Sequence, residues 1–315
     1  MTDRSGKRFS PELPRSVRSV KTSVLVVGGR GQLGRSLLAQ GEASGVSLAA
    51  LTRDDADLRS RGELDAVVSA WAENQGEAQR LVVVNVAGFT AVDAAETDQE
   101  VAFALNGEVP RALAEACVRI GASLVQISTD YVFAGTADRP YEVDDVAEPV
   151  NAYGRSKLAG EQAVLELLPQ DGYVVRTAWL YGATGRNFFR TMVRLEAEQD
   201  SVEVVADQRG SPTWSTDLAR GLLVLAVSQV PPGVYHSVNA GEATWYELAR
   251  AVFEGLGADP GRIRPTTTKS LELAARRPAY SVLSTRAWTL AGLPPLRGWR
   301  EALAELFRTG MKCPD

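Results

Sequence analysis

The chain has 315 residues, of which 45% are hydrophobic and 23% charged. At about 150 residues per domain this gives about two domains with a sizeable core, which excludes global disorder. The 34 basic and 39 acidic side chains leave a net charge of -5, a surface ill suited to wrapping a polyanion, so no nucleic-acid partner is expected.

The rare residues exclude more. There are two cysteines, Cys117 and Cys313, and one histidine, His236. They cannot build a zinc site or a secreted disulfide scaffold, and any Ser-His-Asp triad would have to use His236. No metal ligands are assigned. Acid-base chemistry falls to Tyr, Lys, Asp or Glu.

In chain order, residues 1–20 are basic and polar, contain two prolines and lack the apolar centre of a signal peptide. They read as a flexible leader before a cytoplasmic protein. No apolar run reaches the roughly 18 residues of a membrane span. Ser23 to Val27 is the first strand and runs into GGRGQLG and a helical pattern. A second apolar stretch covers Val46 to Arg53, and a helix carrying Trp71 follows. LVVVNVAG, Leu81 to Gly88, has the unbroken apolar character of a strand buried on both faces. A long helix is expected over Asp98 to Arg119, then the strand ASLVQIST, then a loop over Ala134 to Asn151. A helix begins near Tyr153, and YVVRTAWLYG reads as one strand. Helices are expected over Asn187 to Glu198, Trp214 to Val227 and Thr244 to Phe253.

Strands alternating with helices predict an α/β fold, a Rossmann-like doubly wound parallel sheet. Residues 21–178 form the expected dinucleotide-binding domain. Residues 179–315 form a smaller C-terminal substrate-binding lobe, interleaved with the end of the sheet.

Gly28, Gly31 and Gly34 space a G-x-x-G-x-x-G turn directly between strand and helix. The first allows the tight turn, the second lets backbone approach a pyrophosphate, and the third lets helix pack on strand. Glycine spacing alone is a weak signal; in the first βα turn it points to a dinucleotide. After the second strand stands Arg53, suited to the 2′-phosphate of NADPH or simply to solvent. The adjacent Asp54 and Asp55 leave NADH open.

Tyr153 and Lys157 lie at i and i+4 at the start of a helix, and so share one face. A nearby ammonium is expected to lower the tyrosine pKa and make the phenol a usable acid-base group. A lone YxxxK is common on surfaces; downstream of a dinucleotide turn it means more. Thr129, at the end of ISTD, offers a hydroxyl at a strand end that opens into the ligand crevice, or merely a loop cap. His236 and Arg209 stay divided between structural and substrate roles, with His236 expected on a strand edge of the second lobe.

Together GGRGQLG, NVAGFTAVDAAE, STDYVFAG, EPVNAYGRSKLAGE, RTAWLYG, GRNFF and ADQRGSPTWSTDLA resemble the extended short-chain dehydrogenase/reductase family, and within it the dTDP-4-dehydrorhamnose reductases. The resemblance runs from about Val24 to the end. It implies reduction by NADPH or NADH of the C4 keto group of dTDP-4-dehydro-L-rhamnose, a dTDP-sugar, with Thr129, Tyr153 and Lys157 as catalytic residues. It implies cofactor contacts from Gly31, Gln32 and Leu33 on the pyrophosphate, Asp57 and Leu58 beside adenine, and Ala87, Gly88 and Thr90 at the third strand. Thr90, Val92, Asp130, Tyr131 and Trp179 match the substrate pocket, and Asn106 an asparagine near the lysine. Sister dehydratases carry Asp-Glu after the hydroxyl residue; here Asp130 precedes Tyr131, which favours reduction over elimination. Some members bind magnesium through acidic residues at a dimer interface; no such ligands are assigned here, and magnesium and a homodimer both stay open. The alternatives are another sugar-nucleotide enzyme of the short-chain dehydrogenase/reductase family, or a non-catalytic regulatory subunit resembling that of methionine adenosyltransferase.

Overall fold

The computed structural model describes residues 21–310 apart from 45, 77 and 79; the proposed leader and Cys313 lie outside the described residues. The first half contains β1 (Thr22–Val27), α1 (Gln32–Ser44), β2 (Ser47–Leu51), α2 (Arg61–Glu73), β3 (Arg80–Asn85), α3 (Ala94–Thr97), α4 (Gln99–Phe103), α5 (Val109–Ile120), β4 (Ser123–Thr129), α6 (Ala152–Leu167) and β5 (Gly172–Thr177). The second contains β6 (Leu180–Tyr181), α7 (Phe188–Glu198), β7 (Val202–Val205), β8 (Arg209–Gly210), β9 (Thr213–Trp214), α8 (Ser215–Val227), β10 (Gly233–His236), β11 (Ala243–Thr244), α9 (Trp245–Gly255), β12 (Ile263–Thr266), α10 (Arg286–Leu290) and α11 (Trp299–Gly310).

Six parallel strands form the central sheet in the order β10-β5-β4-β3-β1-β2. Every residue of β1 is buried, and its side chains alternate between two cores. Val24 and Val26 pack with Leu37 of α1 and Leu218 and Leu222 of α8. Leu25 and Val27 pack with Leu64 of α2 and Leu113 of α5. A period of two with both faces apolar is what a helix-covered parallel sheet requires. Strand order reverses direction between β1 and β3, so a ligand crevice opens there at the carboxyl ends of the strands. A third core, around Trp214, Phe253 and Trp299, joins α7, α9 and α11 in the C-terminal part of the chain.

Four sequence expectations are corrected. YVVRTAWLYG is two strands in different sheets: β5 ends at Thr177, and Leu180–Tyr181 pairs with β9. The break is at Trp179, whose φ of 45° is left-handed and incompatible with a continuing strand. The helix across 98–119 is interrupted by a π-helical turn, Ala104–Glu108, a local bulge that turns side chains off the regular helical face. The third strand stops at Asn85 rather than Gly88 because the Asn85 side chain takes the Ala87 N–H at 3.1 Å and bends the chain out of the sheet. His236 lies on β10 of the central sheet, not in the second lobe, and is fully buried.

Candidate active site

The glycine turn follows β1. Gly28 has φ +92°, and a Cβ there would lie 2.8 Å from the Ala87 nitrogen, so the turns after β1 and β3 meet at the reversal point. A Cβ on Gly34 would lie 2.4 Å from the Gly28 oxygen, which only glycine avoids while α1 starts this close to the turn. At Gly31 the Gly28 oxygen at 3.3 Å is the one neighbour within contact range, leaving space over the first N–H groups of α1. Leu33 is buried in the core. Gln32 accepts from Asn187 Nδ2 at 3.2 Å, while its own Nε2 is buried without a partner.

The turn after β2 forms the rim. Arg53 is exposed, and Arg30 of the glycine turn pairs with Asp54. Asp55 is occupied locally, accepting from the Thr52 backbone and hydroxyl, each at 2.7 Å. Asp57 binds the Arg59 guanidinium, which holds its carboxyl below the usual range, and Leu58 beside it is half-buried.

The other side is built at the ends of β4 and α6. Asn151 caps α6 by accepting from the Gly154 N–H at 2.8 Å, and Glu96 takes the Ala152 N–H at 2.8 Å. The first turn of α6 is thereby fixed with Tyr153 beside Thr129. Thr129 Oγ1 also donates to Asp130 Oδ1 at 3.0 Å and accepts from the Tyr131 N–H at 3.2 Å. The Tyr131 ring meets Tyr153 edge-on at 5.9 Å. Lys157 is buried and donates to the Ile127 carbonyl at 2.6 Å, holding α6 against β4.

The electrostatics differ from the sequence expectation for the phenol. Burial, with the Asp130 charge adding to it, pushes Tyr153 up to about 12, against the pull of the Thr129 hydroxyl. Burial also pulls Lys157 down to about 8, partly opposed by Glu161. The ammonium expected to lower the phenol pKa is itself desolvated and bonded to a carbonyl. Burial raises Asp130 to about 6 despite the Ser281 and Thr129 hydroxyls, and raises the Tyr131 phenol as well.

The sequence-assigned residues gather at one sheet end. A Cβ on Gly88 would stand 2.7 Å from Asn106 Oδ1 and 3.7 Å from Lys157 Nζ, so the turn after β3 adjoins the lysine. Asn106, in the π-helical turn, bonds Phe89 N–H and C=O at 2.9 and 3.0 Å and Ser156 Oγ at 3.0 Å. It clamps the Thr90 and Val92 loop to α6; Thr90 is exposed and Val92 half-buried. Thr129 pairs in register with Thr177, which places Trp179 two residues beyond at the same sheet end. One Trp179 face is covered by the Trp245 ring at 3.6 Å.

Two side chains held open in the sequence are engaged in the fold. Arg209 pairs with Glu242 at 3.2 Å and Glu247 at 3.7 Å. His236 Nδ1 bonds the Ser284 carbonyl at 3.1 Å. Sequence reasoning missed Asp93, Trp245, Arg277 and Ser281. They lie beside the site through contacts far apart in the chain, such as Arg277 to Asp93 across 184 residues, which leave no local spacing signal. No group of three or more His, Cys, Asp or Glu among the described residues is placed to hold a metal ion. No helix among them is long and apolar enough to cross a membrane.

The sequence profile of the RmlD substrate binding domain family matches residues 22–311. The chain belongs to this family. A dTDP-4-dehydrorhamnose reductase of Streptomyces griseus is 50% identical over 287 residues, covering 90% of this chain and 92% of that protein. A dTDP-4-keto-6-deoxy-D-glucose reductase of Streptomyces niveus is 47% identical over 283 residues, 90% of this chain and 96% of that protein. The crystal structure of dTDP-4-dehydrorhamnose reductase from Bacillus anthracis str. Ames in complex with NADP superposes with a TM-score of 0.85 at 34% identity, covering 91% and 99% of the two chains.

Proposed function

We propose that this chain is an NADPH-dependent reductase of the C4 keto group of dTDP-4-dehydro-L-rhamnose, yielding dTDP-L-rhamnose. The observation that carries the reading is the convergence of Thr129, Tyr153 and Lys157 at the sheet end beside the glycine turn. The similarity to the Streptomyces griseus reductase and to the NADP-bound Bacillus anthracis structure supports both reaction and cofactor. Residues 21–178 then hold the cofactor and 179–315 mainly the sugar.

The residues present fit a dinucleotide. The open space at Gly31 lies over the N-terminus of α1, and the orphaned Gln32 Nε2 supplies a donor suited to an anion. Gly28, Gly34 and Leu33 shape that turn, and Ala87, Gly88 and Thr90 lie across the crevice from it. Arg53 is the group assigned to the 2′-phosphate, with Asp57 and Leu58 on the adenine side. When bound, the reduced nicotinamide supplies the hydride that reaches C4 of the sugar.

The chain's own residues handle the proton. Tyr153, protonated across the neutral range, donates its proton to the oxygen at C4. Thr129 has one proton, which in this structure is directed at Asp130. Turning it to the substrate oxygen lets Thr129 hold that oxygen by a hydrogen bond while Tyr153 protonates it. Lys157, whose Nζ adjoins Gly88 of the turn after β3, would hold the nicotinamide ribose. Thr90, Val92, Asp130, Tyr131 and Trp179 enclose the sugar.

The test is to mix purified protein with NADPH and dTDP-4-dehydro-L-rhamnose, follow cofactor oxidation and identify the product. Formation of dTDP-L-rhamnose, lost in Tyr153→Phe, establishes the reading. Turnover only with dTDP-4-keto-6-deoxy-D-glucose moves the assignment to the activity named for the Streptomyces niveus relative. Cofactor binding with no oxidation of NADPH by either sugar favours the regulatory-subunit alternative.

A further inference from the structure

Residues 275–281 run as a strap along the substrate side of the site and are tied to each element that builds it. Asp93, one residue beyond Val92, accepts the Ala275 N–H at 3.0 Å and Arg277 Nη2 at 2.6 Å. Asn151, the cap of α6, donates to the Arg276 carbonyl at 2.8 Å. Gly135, with φ +80°, lies so close to Pro278 that a Cβ there would come within 2.2 Å of it. Arg209 backbone groups bond Ala279 and Ser281 on either side. The strap therefore joins the loop after β3, the loop after β4, the start of α6 and β8.

The Arg277 side chain is 12% exposed and is held by the Asp93 carboxylate at 2.6 Å and by the Ala275 carbonyl at 2.9 Å. A guanidinium buried this far is stable only because it is paired and hydrogen-bonded, so removing either partner would loosen the strap. Tyr131 lies on the loop after β4, which the strap meets at Gly135 and Pro278. Tyr131 in turn meets the Tyr153 ring edge-on at 5.9 Å. A planar guanidinium gripped by a carboxylate is a stiff support for a neighbouring side chain.

We propose that Arg277, fixed by Asp93, is a positioning residue that holds the strap against the loops after β3 and β4, and so sets Tyr131 beside Tyr153 and shapes the sugar side of the pocket. The inference rests on the reductase reading above. It assigns the strap a role in recognising the sugar nucleotide.

The experiment is steady-state kinetics of the full chain with NADPH and dTDP-4-dehydro-L-rhamnose, together with NADPH binding measured by fluorescence. Loss of one charge-assisted bond predicts a rise of about tenfold or more in the sugar-nucleotide KM for Arg277→Met, with a smaller fall in kcat. Arg277→Lys keeps the charge but loses the fork, and lies between the two. Asp93→Asn moves KM in the same direction. NADPH affinity stays within about twofold throughout, which a general loosening of the fold would not allow. Should Arg277→Met not fold, Arg277→Lys and the more exposed Asp93→Asn carry the same comparison. Unchanged KM in these variants, or NADPH affinity falling in step with it, overturns the inference alone. Absence of turnover by the unmodified protein overturns the reductase reading and this inference with it.

Discussion

Lys157 donates its ammonium proton to the Ile127 carbonyl at 2.6 Å, two residues before Thr129. The bond joins the helix that carries Tyr153 to the strand that carries Thr129, so the relative position of the two hydroxyls depends on it. It also places a cation in a desolvated site, and burial draws its pKa from 10.5 to about 8. Between those values the unfolded chain holds the proton that the folded chain has released. This lysine therefore lowers stability below about pH 8, and the penalty fades as pH rises to 10.5. In Lys157→Met that pH-dependent gain is missing. Urea unfolding of both proteins at pH 7 and pH 10 checks it: parallel changes in the two would contradict the assigned direction.

Tyr153 is the proposed proton donor. Because burial pushes it up to about 12, it remains a phenol rather than a phenolate throughout the neutral range. Its own ionisation then leaves no inflection in kcat between pH 6 and 9. Tyr153→Phe removes the proton and is expected to lower kcat by about 10² to 10⁴ while NADPH affinity is retained. Stopped-flow reduction together with cofactor titration separates the two effects. A variant with unimpaired kcat would rule out the phenol as donor.

Arg53 stands exposed after β2, and Arg30 reaches the same turn through Asp54. A guanidinium on the 2′-phosphate contributes a charge-assisted bond that NADH cannot form. Arg53→Ala is expected to weaken NADPH binding by about tenfold or more and to leave NADH nearly unchanged. Titration of each cofactor into both proteins decides it. Equal losses for the two cofactors would mean that Arg53 does not contact the 2′-phosphate.

The central sheet was legible because its strands are buried on both faces and therefore written as unbroken apolar runs, Leu81 to Val84 most plainly. The glycine turn was legible because Gly28, Gly31 and Gly34 act within seven residues. What was hidden depends on the third dimension. Trp179 breaks a run that reads as one strand because its backbone turns left-handed, a choice made by tertiary packing against Trp245 and Gly210. The expected effect of Lys157 on Tyr153 follows from their helical spacing. The observed direction follows from burial and from a backbone carbonyl on another strand, neither of which spacing records. Asp93 and Arg277 are remote in sequence and meet only because the strap returns to the site.

His236, placed by its sequence surroundings in the second lobe, is instead enclosed in the central sheet with Nδ1 on the Ser284 carbonyl at 3.1 Å. Burial and the neighbouring Arg176 cation pull its pKa from 6.5 to about 3. The unfolded chain therefore binds a proton, as pH falls below 6.5, that the folded chain refuses until about 3. The stability this neutral imidazole retains at pH 7 is lost progressively across that interval. His236→Gln does not titrate there, so the wild-type protein should lose stability relative to it on going from pH 7 to pH 5. Turnover at pH 7 should be retained by the variant, since the ring is bonded to the Ser284 carbonyl rather than to a residue of the site. Chemical denaturation at the two pH values tests the first expectation and a turnover assay the second. A loss of stability no greater in the wild type than in His236→Gln would show that this histidine does not carry the acid sensitivity assigned to it.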